Sequence, residues 1–262
     1  MILGFEQETP IEAAGRKGHH LSRMWQAGLP VPPGFCVSWD GIESPDRAEL
    51  NRTLSRLGAA AFAVRSSAVQ EDASAASFAG ILLSRLNVTT AEDVLSALAD
   101  IRKSALSPHA VGYSQRRNVG SSLRIAAIVQ TFVAAEASGV LFMRDPVTGA
   151  DHIVVEACWG LGPGTVEGLV RPDRWVLSPD GTVVTSQIAD KDIAVVPNPY
   201  GGTTQAPVEP SRRRRPCLSV ESLQQLSGLA AQCEELFGSS QDIEWAVWAD
   251  RVWLLQSRPI TA

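Results

Sequence analysis

The C-terminal end of the chain constrains its fold most, because it reads as two apolar strands with polar groups set into them. The first strand carries Asp242 and Glu244, and the second carries Gln256 and Arg258. Side chains two residues apart on a strand share a face, so these four can line one face of a hairpin together. A buried strand rarely carries such groups unless they hold something charged.

The pairing register of this hairpin decides whether that face is a site. A three-residue loop at Ala249-Asp250-Arg251 places Glu244 directly opposite Gln256, whereas a two-residue loop would turn one of the two to the other face. A carboxylate and an amide oxygen paired in this way make a hard-oxygen site for magnesium, and Arg258 can reach a phosphate beside it. The hairpin therefore outlines a nucleoside triphosphate site. The alternative is a solvated hairpin, on which such residues are also common.

Composition argues against several other classes of protein. The net charge of −5 and a pI near 5.4 disfavour a broad nucleic-acid-binding face, which needs clustered positive charge. The 4 cysteines form no Cys-x-x-Cys pair, so neither a disulfide framework nor a zinc site is indicated. The first residues lack the features of a signal peptide, and no run reaches the ~18 apolar residues of a membrane span. We expect a cytoplasmic protein without nucleic-acid or membrane partners.

The chain of 262 residues is long enough for one large domain or two lobes. Helical and strand signals alternate without a regular βαβ rhythm, which favours an α+β fold. We expect an N-terminal lobe over 1–129 and a C-terminal lobe over 130–262. Three helices are predicted: one over 15–27, one that begins with a capping box at Thr89, and one over 220–237. The predicted strands cover 62–64, ending on Arg65, and 125–133, 139–142 and 153–155, followed by two strands joined at Pro179-Asp180-Gly181.

Proline and glycine dominate residues 198–216, which also contain four consecutive arginines at 212–215. Such a run can dock an acidic partner or a phosphate, but a solvated loop explains it better. We expect no site there.

Three short segments favour phosphate binding, each weakly on its own. Gly15-Arg16-Lys17-Gly18 places a lysine between glycines at a helix start, where free amide groups favour an anion; a capped helix with a surface lysine explains it equally. Residues 63–67 end in an arginine and two serines, and residues 77–80 read Ser-Phe-Ala-Gly. Small residues let the backbone approach a ligand closely, although they also make ordinary turns.

Other nucleotide and metal motifs are excluded. The GxxxxGK[ST] spacing of a P-loop is absent. The glycine-rich segment at 159–164 does not fit GxGxxG, and Pro163 removes an amide donor from it. The 4 histidines follow no metal-ligand or triad pattern.

The order of these segments resembles the N-terminal nucleotide-binding domain of the phosphoenolpyruvate synthase and pyruvate phosphate dikinase family, which includes rifampicin phosphotransferase. The resemblance covers almost the whole chain. It rests on segments 15–18, 27–35, 63–68, 71–72, 77–80, 129–130, 138–142, 144–149, 159–162, 172–173, 242–245 and 255–259.

This resemblance implies an ATP-grasp fold, in which two lobes of mixed helix and sheet close on ATP with magnesium, the nucleotide cleft lying between them. Lys17 and Arg65 would hold phosphates. Asp242, Glu244 and Gln256 would serve the metal and the ribose-phosphate end, with Glu244 and Gln256 as the metal ligands. Arg258 would stabilise the transferred phosphoryl group, so that Lys17, Arg65 and Arg258 form the catalytic set.

The resemblance also assigns residues around the rest of the nucleotide. The backbone of Gln130, Thr131, Phe132 and Val133 would meet the adenine as a hinge. The loop from Ser77 to Gly80 would lie over the triphosphate, with Ser84 close by.

The sequence departs from the family pattern at five positions. Arg16 replaces a glycine, Ile81 a glutamine, Ser84 and Met143 each a threonine, and Pro163 a glutamate. The stretch 35–62 is short for the family. We also expect a free-standing chain, because neither the swivelling domain with its phosphorylatable histidine nor an acceptor domain follows.

Three functions fit this reading. The first is a phosphotransferase that phosphorylates a histidine on a separate partner protein, and the second is an enzyme that phosphorylates or activates a small molecule directly. The third is a non-catalytic ATP-binding protein. The presence of both arginines with the Glu244 and Gln256 pair favours an enzyme, because binding alone needs less charge at the transferred phosphate.

Overall fold

Two compact units make up the chain, described by a computed structural model over residues 1–69, 83–107 and 124–260. The first unit comprises Met1–Gln26, Pro32–Phe132 and Tyr200–Gly202, and the second comprises Ala27–Val31, Val133–Pro199 and Thr203–Ala262. Each combines helices with a large antiparallel sheet, so the predicted α+β class is confirmed. Within the described ranges, no helix is both long and apolar enough to cross a membrane.

The first unit is built on a five-stranded sheet in the order β1-β2-β5-β3-β4. Its strands are β1 (Ile2–Gly4), β2 (Gly34–Val37), β3 (Phe62–Ala68), β4 (Ser84–Val88) and β5 (Ile125–Thr131), and its described helices are α1 (Ile11–Gln26), α2 (Trp39–Glu43), α3 (Arg47–Leu57) and α4 (Ala91–Ala105). Helices α2, α3 and α4 bury one face of the sheet, including Val64 and Ile125. Helix α1 covers the opposite face, where Gly18 meets Cys36 and Ile128.

Strand β3 is longer than predicted. It does not end on Arg65 but continues to Ala68, because the serines that suggested a turn are satisfied inside the sheet. The Ser66 hydroxyl donates to the Leu83 carbonyl at 3.2 Å and accepts from the Leu83 amide at 2.8 Å. Buried hydroxyls with such partners are compatible with a strand interior.

Helix α4 begins one residue later than predicted. The cap is Thr90 rather than Thr89, and its hydroxyl accepts a hydrogen bond from the Asp93 amide at 3.0 Å. A threonine at this position satisfies one of the unpaired amides of the first turn.

The second unit is built on a six-stranded sheet in the order β13-β12-β6-β7-β8-β9, with a separate β10-β11 pair. The strands are β6 (Ala137–Phe142), β7 (Ile153–Trp159), β8 (Asp173–Leu177), β9 (Val183–Gln187), β10 (Ile193–Pro197), β11 (Thr203–Pro207), β12 (Gln241–Trp248) and β13 (Arg251–Pro259), and the helices are α5 (Pro163–Val166) and α6 (Val220–Phe237). The predicted helix over 220–237 is confirmed by α6, which contacts β12 and β13.

The arginine run lies in an exposed turn, as the sequence predicts, and three of its side chains make defined contacts. The Arg212 guanidinium lies 4.1 Å from the centre of the Trp159 ring. Arg213 and Arg214 form ion pairs with Asp190 at 2.7 and 3.0 Å, and these hydrogen bonds lower the Asp190 pKa. Stacking and paired charge therefore attach this exposed turn to Trp159 and Asp190.

A fully buried ion pair lies within the second unit. Lys191 Nζ lies 2.5 Å from Asp173 Oδ1, and neither side chain is exposed. The carboxylate also accepts hydrogen bonds from the amides of Ala189 at 2.8 Å and Cys217 at 3.0 Å. A charge pair without solvent is stable only when its remaining hydrogen-bonding capacity is used in this way.

Candidate active site

Glu244 lies directly opposite Gln256 in the β12–β13 pair, as predicted, but the chain reaches that register differently. The loop has two residues, because Trp248 pairs with Arg251, and Ala249 and Asp250 have φ of 50° and 57°. Those values are typical of a type I′ turn. A β-bulge after Glu244 then shifts the register by one residue and restores the pairing. The expectation of a three-residue loop was therefore wrong, while the pairing it was meant to explain is confirmed.

Asp242 lies opposite Arg258, two residues from Glu244 on the same face. Arg258 donates from Nε to Asp242 Oδ2 at 2.8 Å, and its Nη2 forms an ion pair with the same oxygen at 2.7 Å. The Asp242 side chain is 10 % exposed and that of Arg258 is 52 % exposed. A buried carboxylate thus holds the guanidinium in place while the cation stays accessible to an anion.

The paired Glu244 and Gln256 offer only oxygen atoms as metal donors. Gln256 is buried and Glu244 is partly exposed. The opposite face of the same strands is closed by apolar side chains, including Ile243 and Trp245, which are 1 % and 0 % exposed. A carboxylate and an amide oxygen are hard ligands, and this donor set fits Mg²⁺.

In the first unit, Arg65 lies within β3, directly opposite Ser84 of β4 and Ile128 of β5. Gln130 is two residues from Ile128 and therefore shares its face of the sheet. Three of the residues that the sequence assigns to the site, Arg65, Ser84 and Gln130, thus lie on one face. It is the face that α1 covers.

Lys17 reaches the same face through the glycines on either side of it. Gly15 breaks the helical backbone with φ 69° and ψ 172°, and a Cβ there would lie 2.3 Å from the Ser67 carbonyl oxygen. The Gly18 amide donates to the Ser67 hydroxyl at 3.1 Å. Because Ser67 is two residues from Arg65 on β3, Lys17 is held beside the Arg65 side of the sheet.

Arg16, which departs from the family pattern, has a defined contact. Its Nε donates to the Val69 carbonyl at 3.0 Å. The side chain therefore ties the start of the main part of α1 to the end of β3, and it adds to the anchoring around Lys17.

The hinge uses some of its own hydrogen-bonding groups. The amides of Thr131 and Phe132 donate to the carbonyls of Pro33 and Ala61 at 2.8 and 3.0 Å, and Gln130 Nε2 donates to Pro32 at 3.3 Å. Any hinge contact to a base would therefore come from carbonyl groups or from Val133. Ser77 and Gly80 lie outside the described residues.

Two charged residues on the sheet of the second unit, Glu156 and Arg174, and a third in the loop after β6, Asp145, have no role assigned from the sequence. Arg174 of β8 lies opposite Glu156 of β7 and forms an ion pair with Asp145. Asp145 begins Asp-Pro-Val-Thr-Gly, whose aspartate and glycine indicate a tight turn. That signal identifies the turn, but the partner of Asp145 is 29 residues away and follows only from the sheet order.

Residues 47–262 match the family model described as pyruvate phosphate dikinase, AMP/ATP-binding domain. The prodigiosin synthesizing transferase PigC of Serratia marcescens is 37 % identical over 94 % of this chain and 31 % of its own length. A probable phosphoenolpyruvate synthase of Methanothermobacter thermautotrophicus is 33 % identical over 99 % of this chain and 46 % of its own length. The chain thus spans about a third to a half of these two relatives.

Among solved structures, the dinucleotide-forming acetyl-coenzyme A synthetase 1 of Ca. Korarchaeum cryptofilum matches with a TM-score of 0.51 and 15 % identity. The match covers 94 % of this chain and 92 % of that one. At this identity the likeness concerns the fold alone, and it agrees with the predicted ATP-grasp fold.

Proposed function

The chain belongs to the family of pyruvate phosphate dikinase AMP/ATP-binding domains, and from this premise we propose that it is an ATP-dependent phosphotransferase. Its proposed reaction transfers a phosphoryl group from magnesium-ATP to a histidine on a separate partner protein. The observation that carries the proposal is the paired Glu244 and Gln256 beside an accessible Arg258. A metal-binding pair next to an oriented cation is what phosphoryl transfer requires.

Each side chain has a proposed role. Glu244 and Gln256 would hold magnesium, which when bound would neutralise phosphate charge. Lys17 and Arg65 would bind phosphate oxygens of ATP. Arg258, oriented by Asp242, would offset the charge that develops on the transferred group.

In the proposed step, a nitrogen atom replaces an oxygen atom on the phosphorus of the transferred group. A neutral histidine nitrogen of the partner forms the new N–P bond as the P–O bond to the departing nucleotide breaks, and the nucleotide leaves with the electron pair. The transition state spreads charge over the equatorial phosphate oxygens, so fixed cations contribute more than covalent chemistry by the protein. In the described residues, no group of three or more His, Cys, Asp or Glu side chains forms a metal site.

A second candidate function is direct phosphorylation or activation of a small molecule. The similarity to a prodigiosin synthesizing transferase supports it, because the name describes a biosynthetic enzyme rather than a protein kinase. This candidate needs the same residues, so only the identity of the acceptor separates the two.

To test the proposed function, the purified chain is incubated with magnesium and ATP, with and without cell extract. Chromatography resolves ADP, AMP and phosphate, while radiolabelled protein is tested for the acid lability of phosphohistidine. Labelled protein that loses its label in acid supports the first candidate, and a labelled small molecule supports the second. ATP bound without any turnover, even with extract, would contradict both and leave a binding protein.

A further inference from the structure

A row of polar side chains continues from the proposed metal pair across the sheet of the second unit. Glu244 lies opposite Val140 of β6, Val140 opposite Glu156 of β7, and Glu156 opposite Arg174 of β8. Residues directly opposite each other across antiparallel strands share a face. Glu156 and Arg174 therefore lie on the face of Glu244, although the proposed mechanism uses neither.

Arg174 contacts two carboxylates. Its Nη2 lies 3.2 Å from Asp145 Oδ2, and its Nη1 lies 3.9 Å from Glu156 Oε1. The Arg174 side chain is 33 % exposed, whereas that of Asp145 is only 12 % exposed. The shorter contact thus joins β8 to the loop that follows β6.

Asp145 organises this loop, residues 144–149. Its Oδ1 accepts hydrogen bonds from the amides of Val147 at 2.8 Å and Thr148 at 3.0 Å. These bonds, with the charge of Arg174, lower the Asp145 pKa, so the carboxylate is ionised at neutral pH. One oxygen shapes the loop and the other fixes it to Arg174.

The loop leaves the sheet beside the proposed phosphoryl-transfer residues. Phe142, the last residue of β6, lies opposite Asp242, the partner of Arg258. Arg144 follows two residues later and is exposed. Within the described part of the chain, its guanidinium forms no hydrogen bond or ion pair. Strand spacing places the backbones of Phe142 and Arg258 about 10 Å apart across the sheet. Arg144 follows Phe142 by two residues, just outside the strand, so its long side chain starts within reach of a phosphoryl group bound at Arg258.

We infer that Arg144 contacts the terminal phosphate of ATP and that Arg174 is a positioning residue, which holds Arg144 in place through Asp145. This inference rests on the proposed function and adds to it a cation that acts only on the terminal phosphate. ATP carries that phosphate and ADP does not. Arg144 and Arg174 therefore strengthen the binding of ATP relative to that of ADP.

The test measures dissociation constants by calorimetry for magnesium with ADP and with the non-hydrolysable analogue AMP-PNP. Arg144→Gln and Arg174→Gln should each weaken AMP-PNP binding about tenfold, or about 1.4 kcal/mol, and leave ADP binding unchanged. Arg174→Lys, which keeps the charge, should recover part of the preference. The matched control is Arg171→Gln, because Arg171 is an exposed arginine just before β8.

A second readout follows the loop itself. Trypsin can cut after Arg144, and this cleavage should accelerate in Arg174→Gln but not in Arg171→Gln. An Arg144→Gln variant that binds both nucleotides like the control would overturn the inference, and so would an Arg174→Gln variant that weakens both equally. A wild-type chain that binds neither nucleotide would instead remove the proposed function, and this inference with it.

Discussion

Asp242 Oδ2 accepts a hydrogen bond from Arg258 Nε at 2.8 Å and lies 2.7 Å from Arg258 Nη2, and Asp242 is itself almost fully buried. The carboxylate fixes the direction of the guanidinium, and more than half of the arginine side chain stays exposed. A cation oriented in this way needs little reorganisation when charge develops on a phosphoryl group.

Replacement of Arg258 should therefore affect the rate more than binding. We expect Arg258→Ala to lower kcat about 100-fold while the Kd for magnesium-ATP rises less than about tenfold. Steady-state kinetics and calorimetry give the two values. Arg171→Ala serves as the control, and an equal loss in kcat and affinity would mean that Arg258 only binds substrate.

Removal of the proposed metal ligand should abolish turnover. We expect Glu244→Ala to lower kcat at least about 100-fold, because the phosphate charge loses its neutralising partner. Circular dichroism should show an unchanged fold, since Glu244 lies on the partly exposed face of β12. Glu235→Ala, at an exposed position of α6, is the matched control. Full activity of Glu244→Ala would remove this residue from the site.

The buried pair of Lys191 and Asp173 should dominate the stability of the second unit. We expect Lys191→Met to lower the free energy of unfolding by about 3 to 5 kcal/mol, because it leaves a buried carboxylate without its counter-charge. Arg214→Ala, which removes an exposed ion-pair partner, should have a much smaller effect. Urea denaturation followed by tryptophan fluorescence measures both. Adding Asp173→Asn to Lys191→Met should recover part of the loss, and strict additivity would argue against a coupled pair.

The turn between β12 and β13 should tolerate glycine. Asp250 has φ 57°, a region that glycine adopts without steric cost. We expect Asp250→Gly to raise the free energy of unfolding by about 0.5 to 1 kcal/mol. The control Ala231→Gly, at an exposed helical position of α6, should lower it by about 1 kcal/mol. Destabilisation by Asp250→Gly would show that its side chain stabilises the turn.

The thiols should be unreactive in the native protein. All four cysteines are free and buried, and burial raises the pKa of Cys36 and Cys233 to about 12. We expect no reaction with Ellman's reagent at pH 8 until denaturant exposes the thiols. The stability that these two groups contribute is complete below their ordinary pKa of 9.0 and falls as pH rises from there towards 12, because the unfolded thiols ionise first. A thiol that reacts rapidly without denaturant would contradict this burial.

Local patterns predicted which residues lie opposite each other better than they predicted the turn and register that bring them together. Helical spacing gave the bounds of α6, and alternation on two strands placed Glu244 and Gln256 together. The pairing itself depended on a turn and a bulge that compensate each other, and neither has a strong sequence signal, because Ala-Asp is not a favoured type I′ pair.

Long-range partners were beyond prediction for a different reason. Lys191 stands between two aspartates and looks like a surface residue, yet its partner Asp173 lies 18 residues away inside the sheet. Likewise, the serines at 66–67 suggest a turn until Leu83 and α1 supply their hydrogen bonds. Such contacts follow from tertiary packing, which overrides local propensity.

The break in α1 at Gly15 determines which residues this position accepts. An L-amino acid there would meet both a positive φ and a Cβ position only 2.3 Å from a backbone oxygen of β3. Neither obstacle can be relieved by a change of side-chain rotamer. In a saturation mutagenesis experiment, only glycine should therefore be tolerated at position 15, whereas the neighbouring position 16 should tolerate residues other than arginine. That contrast would map the anchoring of Lys17 without any measurement of nucleotide binding.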